Sequence, residues 1–388
     1  MGFFDTIHDR KNTRSVKWDM LKAVFQSDDV LPMWVADMDF KAPEAVNEAL
    51  IARAKHGIYG YTVIDDEVKG AVTNWVSRRH DWQIDENWLS FSPGVVTSLH
   101  MAVQAFTEPE DKILIQTPVY TPFYSVIEGH GREVVKSPLV REDNYYTIDF
   151  VDFEEKLRQG VKAFILCSPH NPVGRVWKKE ELEEMARLCL KHDVLILSDE
   201  IHADLIYPGE RHIPIASLSP EISKQTITCM SPSKTFNLAG LQASYCVTED
   251  KAKRDKLDEM LGKQGHHMLN TMGSTALEAA YLHGEAWLDE LKTVLEKNRN
   301  YVIEELESRT NLKVTRTEGT YLLWIDCRGL ELDDQALNKF MVEKARVGLN
   351  KGLDYGEEGG YFMRMNIACP KALVEDGVER LITAVEGM

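Results

Sequence analysis

No stretch of this sequence approaches the roughly 20 consecutive apolar residues that a helix needs to cross a bilayer, so insertion by a helix is excluded. Positive charge is in deficit, with 45 Lys and Arg against 62 Asp and Glu and a formal net charge of −17. Such a chain repels nucleic acid and anionic membrane surfaces, so neither is an expected partner. The first 22 residues lack the unbroken apolar core of a secretory signal, because Asp5, Asp9, Arg10, Lys11, Arg14 and Lys17 punctuate them. A cytoplasmic protein is the expectation. Cysteine is scarce: Cys167, Cys189, Cys229, Cys246, Cys327 and Cys369 are widely spaced and most lie in apolar runs. They read as reduced core thiols, not as bridges or zinc ligands. His266 and His267 are the only adjacent histidines. Neighbours on a helix diverge and no third ligand stands nearby, so they read as solvated helix surface and no metal is expected. Internal repeats, low-complexity tracts and disordered linkers are missing as well.

What is present is length and rhythm. A chain of 388 residues exceeds one ordinary core, which favours a large domain with a smaller partner. Residues 43–57 carry Val46, Ala49, Leu50 and Ala54 before a glycine, and residues 66–80 carry Val68, Ala71, Val72, Trp75 and Val76; both are amphipathic helix patterns. Short apolar runs then alternate with helical stretches. Residues 112–116, 162–168, 194–198, 226–230 and 243–248 predict strands, with a helix over 179–192. Buried parallel strands joined by helices, hence an α/β domain, follow from that alternation. From Gly284 a long charged helical pattern through Trp287, Leu291, Leu295, Val302 and Leu306 leads into a second, α+β domain with strands at 320–326 and 361–368 and a helix at 333–345. The division expected is an N-terminal segment 1–42, a large domain 43–285 and a small domain 286–388.

Three successive predicted strands end in polar clusters, and ligands of open parallel sheets bind at the carboxyl ends of strands. The clusters are Ser168-Pro-His-Asn171-Pro-Val-Gly174, Ser198-Asp199-Glu-Ile-His202 and Ser231-Pro-Ser233-Lys234-Thr-Phe236. Taken singly, Asn171 reads as a turn residue, Asp199 as a helix cap and Lys234 as a solvated loop lysine. Together they bring an amide, a carboxylate and an amine to one edge of one sheet. Ser92-Pro-Gly94-Val95-Val96-Thr97 opens a predicted helix running to Phe106, and free N–H groups at a helix start suit a phosphate. Arg364 sits inside the apolar run Tyr361-Phe-Met-Arg-Met-Asn-Ile, where a guanidinium needs an anionic partner or strong hydrogen bonds.

With these clusters in place, the chain resembles the pyridoxal-5′-phosphate (PLP) enzymes of the aspartate-aminotransferase fold type, fold type I. It resembles more closely their carbon–sulfur lyase branch, the cystathionine β-lyases of the MalY/PatB type. The resemblance runs from Leu31-Pro-Met-Trp-Val-Ala-Asp-Met-Asp-Phe40 to Arg364-Met-Asn-Ile-Ala-Cys-Pro370 and centres on Ser-Pro-Ser-Lys234-Thr-Phe-Asn-Leu-Ala-Gly. It implies an α/β large domain, a mostly parallel sheet flanked by helices, with a smaller α+β C-terminal domain. It implies PLP as cofactor, held by Lys234, whose amine can condense with the cofactor aldehyde and then serve as the base at Cα. By the same resemblance Asp199 faces the pyridine nitrogen and Asn171 the phenolic oxygen. Tyr120 stacks on the ring, although as a residue alone it is equally a core tyrosine at a strand end. Gly94, Val95 and Val96 cradle the phosphate with the hydroxyls of Ser231 and Ser233. Arg364, assisted by the Ala36 backbone, clamps the substrate α-carboxylate, against the plainer reading of a structural salt bridge. Tyr61 reaches into a neighbouring subunit's site, which implies a homodimer. Two positions depart from most relatives: His202 stands where many carry tyrosine, and Gln242 where many carry an arginine for the phosphate.

The activity implied is α,β-elimination of L-cystathionine or a similar cysteine S-conjugate to thiol, pyruvate and ammonia. An aminotransferase with the same lysine, aspartate and arginine is the alternative. A PLP-sensing transcription regulator would need a basic DNA-binding domain, for which the acidic chain leaves no room before Pro43. A silent binding protein would not need an intact Lys, Asp and Asn set.

Overall fold

The computed structural model describes residues 2–388. Its central sheet has seven strands in the spatial order Leu89–Ser92, Ser244–Val247, Thr226–Met230, Leu195–Asp199, Val161–Cys167, Lys112–Ile115 and Glu133–Lys136. Each buried strand is a near-continuous apolar run because helices cover both faces of the sheet. The helix Lys179–Lys191 connects two of them and buries Leu182, Met185, Ala186, Leu188 and Cys189, one side of its 3.6-residue repeat. Parallel pairing with Cys167 opposite Asp199, and Asp199 opposite Cys229, brings the carboxyl ends of three consecutive strands level.

One expected parallel strand runs the other way. Ser244–Val247 is antiparallel to both neighbours. A parallel return would need a crossover covering one face of the sheet. Residues 231–243 instead stay at the carboxyl edge, forming the short helix Pro232–Thr235 and the single 3-10 turn Ala239–Leu241. The strands Leu89–Ser92 and Glu133–Lys136 went unanticipated, since each is only four residues long and half or more of its positions are not fully buried.

The helix Asp66–His80 begins at the Asp65 cap and ends at Asp81, which is left-handed at φ 53. Its predicted apolar stripe is buried, with Trp75 stacked on Tyr281 at 5.0 Å. The helix Glu44–His56 ends at Gly57, whose φ of 75 is the left-handed geometry that favours glycine. Its stripe is less complete than the spacing suggests: Val46 is buried, Ala49 and Leu50 are half-buried and Ala54 is exposed. His266 and His267 also fall elsewhere than expected. The helix Lys251–Lys263 stops before them, with Gly265 at φ 80, so they lie in a loop. All six cysteines are free and buried, and no group of three or more metal-ligating side chains occurs among the described residues. None of the described helices is long and apolar enough to cross a membrane.

Residues 285–388 open on the helix Glu285–Arg309 and form a four-stranded antiparallel sheet ordered Lys313–Val314, Leu322–Asp326, Phe362–Asn366 and Asn350–Lys351. The N-terminal segment is tied to this part of the chain. Leu31–Pro32 pairs in parallel with Val347–Gly348, and Asn366 Nδ2 donates to the carbonyls of Val35 and Asp37, each at 2.6 Å.

Candidate active site

A cavity of about 200 Å³ opens at the carboxyl edge of the large sheet. Its walls include Ala36, Gly94, Val95, Val96, Tyr120, Asn171, Asp199, His202, Ser231, Ser233 and Lys234. The turns after three adjacent strands supply Asn171, the Asp199–His202 pair and the Ser231–Lys234 stretch. The helix Val95–Phe106 supplies one end wall.

Lys234 lies in the helical turn Pro232–Thr235, which starts where Ser231 Oγ accepts from the Ser233 N–H at 3.0 Å. Its Nζ donates to the Ala36 carbonyl at 2.6 Å. Burial, helped by the positive charge of Arg364, lowers the pKa of this amine to about 8, against the pull of Asp37 and Asp199. Asp199 closes its strand. Burial pushes its carboxyl up to about 7, opposed by the Ile201 N–H, which reaches Oδ1 at 3.1 Å, and by Lys234. No donor among the described residues reaches Oδ2, which is left free for a ligand. His202 is buried with Nδ1 unpartnered. Burial, then Lys234 and Arg364, lower its pKa to about 3, which keeps the ring neutral. Burial and then Asp199 raise the Tyr120 phenol to about 12, so it stays protonated.

The opposite end of the cavity suits an anion. Gly94 caps the helix in an extended conformation that any residue adopts, and the first N–H groups of Val95, Val96 and Thr97 have no intrahelical acceptors. Ser231 Oγ lies 2.7 Å from the Ala243 carbonyl and 2.8 Å from Ser233 Oγ. When the Ser231 proton is on Ser233 Oγ, the Ser233 hydroxyl keeps its own proton for a ligand. Gln242 lines the same end at φ 53 and brings no charge.

Arg364 is not a wall of the cavity but stands directly behind one. It is 4% exposed, and its Nη1 donates to Asn171 Oδ1 at 3.2 Å. Its Nη2 donates to the Trp34 carbonyl at 2.7 Å and to Asn350 Oδ1 at 2.8 Å. These are neutral acceptors, and the ring of Tyr355 lies 5.1 Å away. The structural salt bridge therefore lacks its acid among the described residues, and Arg364 Nε has no partner at all. A buried guanidinium facing only neutral groups retains an unmet demand for an anion. Asn171 spends its oxygen on Arg364, so its amide protons are the part it can offer a ligand. Tyr61 stands apart from the cavity walls in the single chain, 98% exposed on the segment after Gly57.

The sequence left out several contributors. Thr97 lines the cavity at the third helical position, and Tyr321 donates its hydroxyl to the Ala36 carbonyl at 2.9 Å. Asn350 and the Trp34 carbonyl hold Arg364. Thr97 was legible as the hydroxyl residue ending the Gly94-Val-Val-Thr turn. The others come from distant parts of the chain and carry no local signal.

These residues fit PLP: an amine held in a cavity, a buried carboxylate with a free oxygen, an unpartnered buried imidazole nitrogen and a cluster of free N–H donors for a phosphate. Comparison with known proteins agrees. The profile of the class I and II aminotransferase family matches residues 28–381. The chain is 47% identical to cystathionine beta-lyase PatB of Bacillus subtilis, over 98% of this chain and 99% of that one. The PLP-containing crystal structure of cystalysin from Treponema denticola superposes with a TM-score of 0.96 at 38% identity, covering 99% of this chain and 98% of that one. The PLP-bound C-S lyase from Staphylococcus hominis superposes at 0.91 with 33% identity, covering 98% and 97%.

Proposed function

The chain belongs to the class I and II aminotransferase family, and from that premise we propose that it is a PLP-dependent carbon–sulfur β-lyase. Its substrate is L-cystathionine or a related cysteine S-conjugate, which with water gives a thiol, pyruvate and ammonia. The observation that carries an α-amino acid as substrate is the buried Arg364, held by neutral acceptors and placed behind the cavity that contains the Lys234 amine. An α-amino acid presents a carboxylate to the first and a Cα proton near the second. The likeness to a cystathionine β-lyase over nearly the whole chain favours elimination over transamination.

Once bound, the cofactor supplies an aldehyde and an electron sink for charge developing at Cα. The protein does the rest. Lys234, with a pKa near 8, can give up its proton at neutral pH to bind and then take the α-proton. Asp199 would hold a proton on the ring nitrogen, and the Asn171 amide would donate to the ring oxygen. His202, neutral and with Nδ1 free, offers the cavity a further acceptor or donor. Gly94, Val95, Val96 and Ser233, with Ser231 setting the turn, would receive the phosphate, and Tyr120 would cover the ring. Arg364 would attract and orient the α-carboxylate by its charge, with its Nε–H unpartnered, and the Ala36 backbone borders the same space.

Leaving-group loss and return of the proton compete after Cα is deprotonated, so one assay separates the two enzyme classes. L-Cystathionine supplied without any keto acid should be turned over many times, releasing pyruvate, ammonia and homocysteine in equal amounts. A reaction that halts after one equivalent and restarts only with added keto acid establishes the aminotransferase instead.

The division at residues 42/43 and 285/286 belongs to this reading, as do a cytoplasmic location and a homodimer with shared sites. Support for the dimer is an exposed apolar group, Ile51, Ile58, Tyr59, Tyr61 and Val63, on and after the incompletely buried helix Glu44–His56. Mixing Tyr61→Ala and Lys234→Ala subunits should restore activity, because one hybrid site would keep both residues. No recovery despite demonstrated subunit exchange rules out the shared site.

A further inference from the structure

One wall of the cavity belongs to no strand or helix. Residues 34–39 are irregular, so their carbonyls have no ladder partner and are free for side chains. Two of them hold side chains of the site: the Trp34 carbonyl accepts from Arg364 at 2.7 Å and the Ala36 carbonyl from Lys234 at 2.6 Å. Asn237, three residues after Lys234, grips the next stretch through the Met38 N–H at 2.9 Å and the carbonyls of Met38 and Phe40 at 3.0 and 2.9 Å.

The outer end of this segment is anchored by charge. Asp39, 4% exposed, accepts from Lys17 Nζ at 2.6 Å, Arg10 Nη1 at 2.7 Å and Trp18 Nε1 at 2.8 Å. Arg10 also forks onto Asp37 at 2.8 and 3.0 Å. The Trp34 indole donates to the Lys17 carbonyl at 3.1 Å, so both ends of the segment are fastened to the same N-terminal helix turn. Buried ion clusters add little net stability compared with apolar packing, because desolvation offsets the attraction. They are directional, however, and three donors converging on one carboxylate define where its backbone lies.

We propose that Asp39 is a positioning residue, anchoring residues 34–39 so that their carbonyls keep the Arg364 guanidinium and the Lys234 amine in register. The inference rests on the roles given above to Lys234 and Arg364. It has an electrostatic consequence. The groups facing the Lys234 amine are the Ala36 carbonyl and Asp37 from this segment, Asp199 and His202 from the large sheet, and Arg364 from the small one. Asp37, Asp199 and the carbonyl favour the ammonium, while Arg364 and burial oppose it. A displaced segment takes away two of the three favourable groups and also uncovers the amine, so its titration moves from the wild-type value.

The test compares Asp39→Asn and Lys17→Met with wild type and with the conservative Lys17→Arg. In the cofactor-loaded enzyme, amide hydrogen exchange of residues 31–40 should quicken about tenfold or more, since the anchor no longer closes the segment. KM for L-cystathionine should rise about tenfold with a smaller change in kcat, as the carboxylate clamp loses its alignment. In cofactor-free protein, the midpoint for labelling Lys234 with acetic anhydride should move by about half a pH unit or more from the wild-type value. Lys17→Arg should restore all three. Exchange and midpoint unchanged from wild type, whatever happens to Tm, reduce the cluster to a structural staple and overturn the proposal. Should Asp39→Asn fail to fold, Trp18→Phe, which deletes one donor, must give the same shifts in smaller size. Exchange and midpoint do not depend on the reaction. If they move while cystathionine is not split, the anchor stands and the lyase reading falls; if cystathionine is split and they stay, the anchor falls.

Discussion

Lys234→Ala is expected to lower turnover by about 10⁴-fold, because in the proposed reaction one side chain would carry both the covalent hold on the cofactor and the base at Cα. The fold should survive, since the Lys234 amine makes a single hydrogen bond, to the Ala36 carbonyl, and removing it enlarges an existing cavity. Borohydride reduction of the loaded wild-type enzyme, followed by peptide mapping, should place the cofactor on this lysine. An adduct on another lysine ends the assignment. The same residue predicts a pH profile. Only the uncharged amine attacks an aldehyde, and burial brings its pKa from 10.5 to about 8. The rate at which cofactor-free protein takes up PLP should therefore rise with pH and level off above about 8. A rate still climbing towards the ordinary lysine value would mean that a solvated amine is the one reacting.

Asp199→Asn should keep the cofactor bound and reduce kcat by about 10²–10³-fold, the usual cost of removing one preorganised electrostatic partner from a reacting centre. Burial holds the Asp199 carboxyl near 7, so its charge is poised to respond to a partner. Beside a protonated ring nitrogen Asp199 would be held as the carboxylate, and its charge would keep that proton in place. An amide has no charge with which to do this. Measuring kcat alongside cofactor content by absorbance separates the effect from simple loss of binding. Wild-type kcat in the loaded variant would remove Asp199 from the reaction.

Both predictions concern residues that stand out in the linear sequence, and the reason is local. Asn171, Asp199 and Lys234 each lie at or just beyond the end of a buried strand, and a run of apolar residues ending in a polar cluster is visible in one dimension. Parallel pairing then brings those strand ends level, as Cys167, Asp199 and Cys229 are. The helix start at Gly94 is legible in the same way, since the glycine turn and the apolar repeat that follows it are contiguous. The direction of Ser244–Val247 was not legible. Its apolar content suits either orientation, and only the course of residues 231–243 along the sheet edge makes it antiparallel.

The sequence alone, then, determined the α/β class, the strand-end site and the chemical identity of its amine and carboxylate, because periodicity and strand punctuation are properties of short windows. Tertiary structure alone decided what those groups face. Arg364 stood out as a charge in an apolar run, but that it meets Asn171, Asn350 and the Trp34 carbonyl, and no acid, depends on segments 14 to 330 residues away in sequence. The hold of Asp39 on Lys17, Arg10 and Trp18 was equally hidden, although all four lie within the first 40 residues. A hydrogen bond is satisfied at about 3 Å in space irrespective of chain separation. Burial, which moves Lys234 down to about 8 and Asp199 up to about 7, is likewise set by whatever packs around a group and not by its neighbours in sequence.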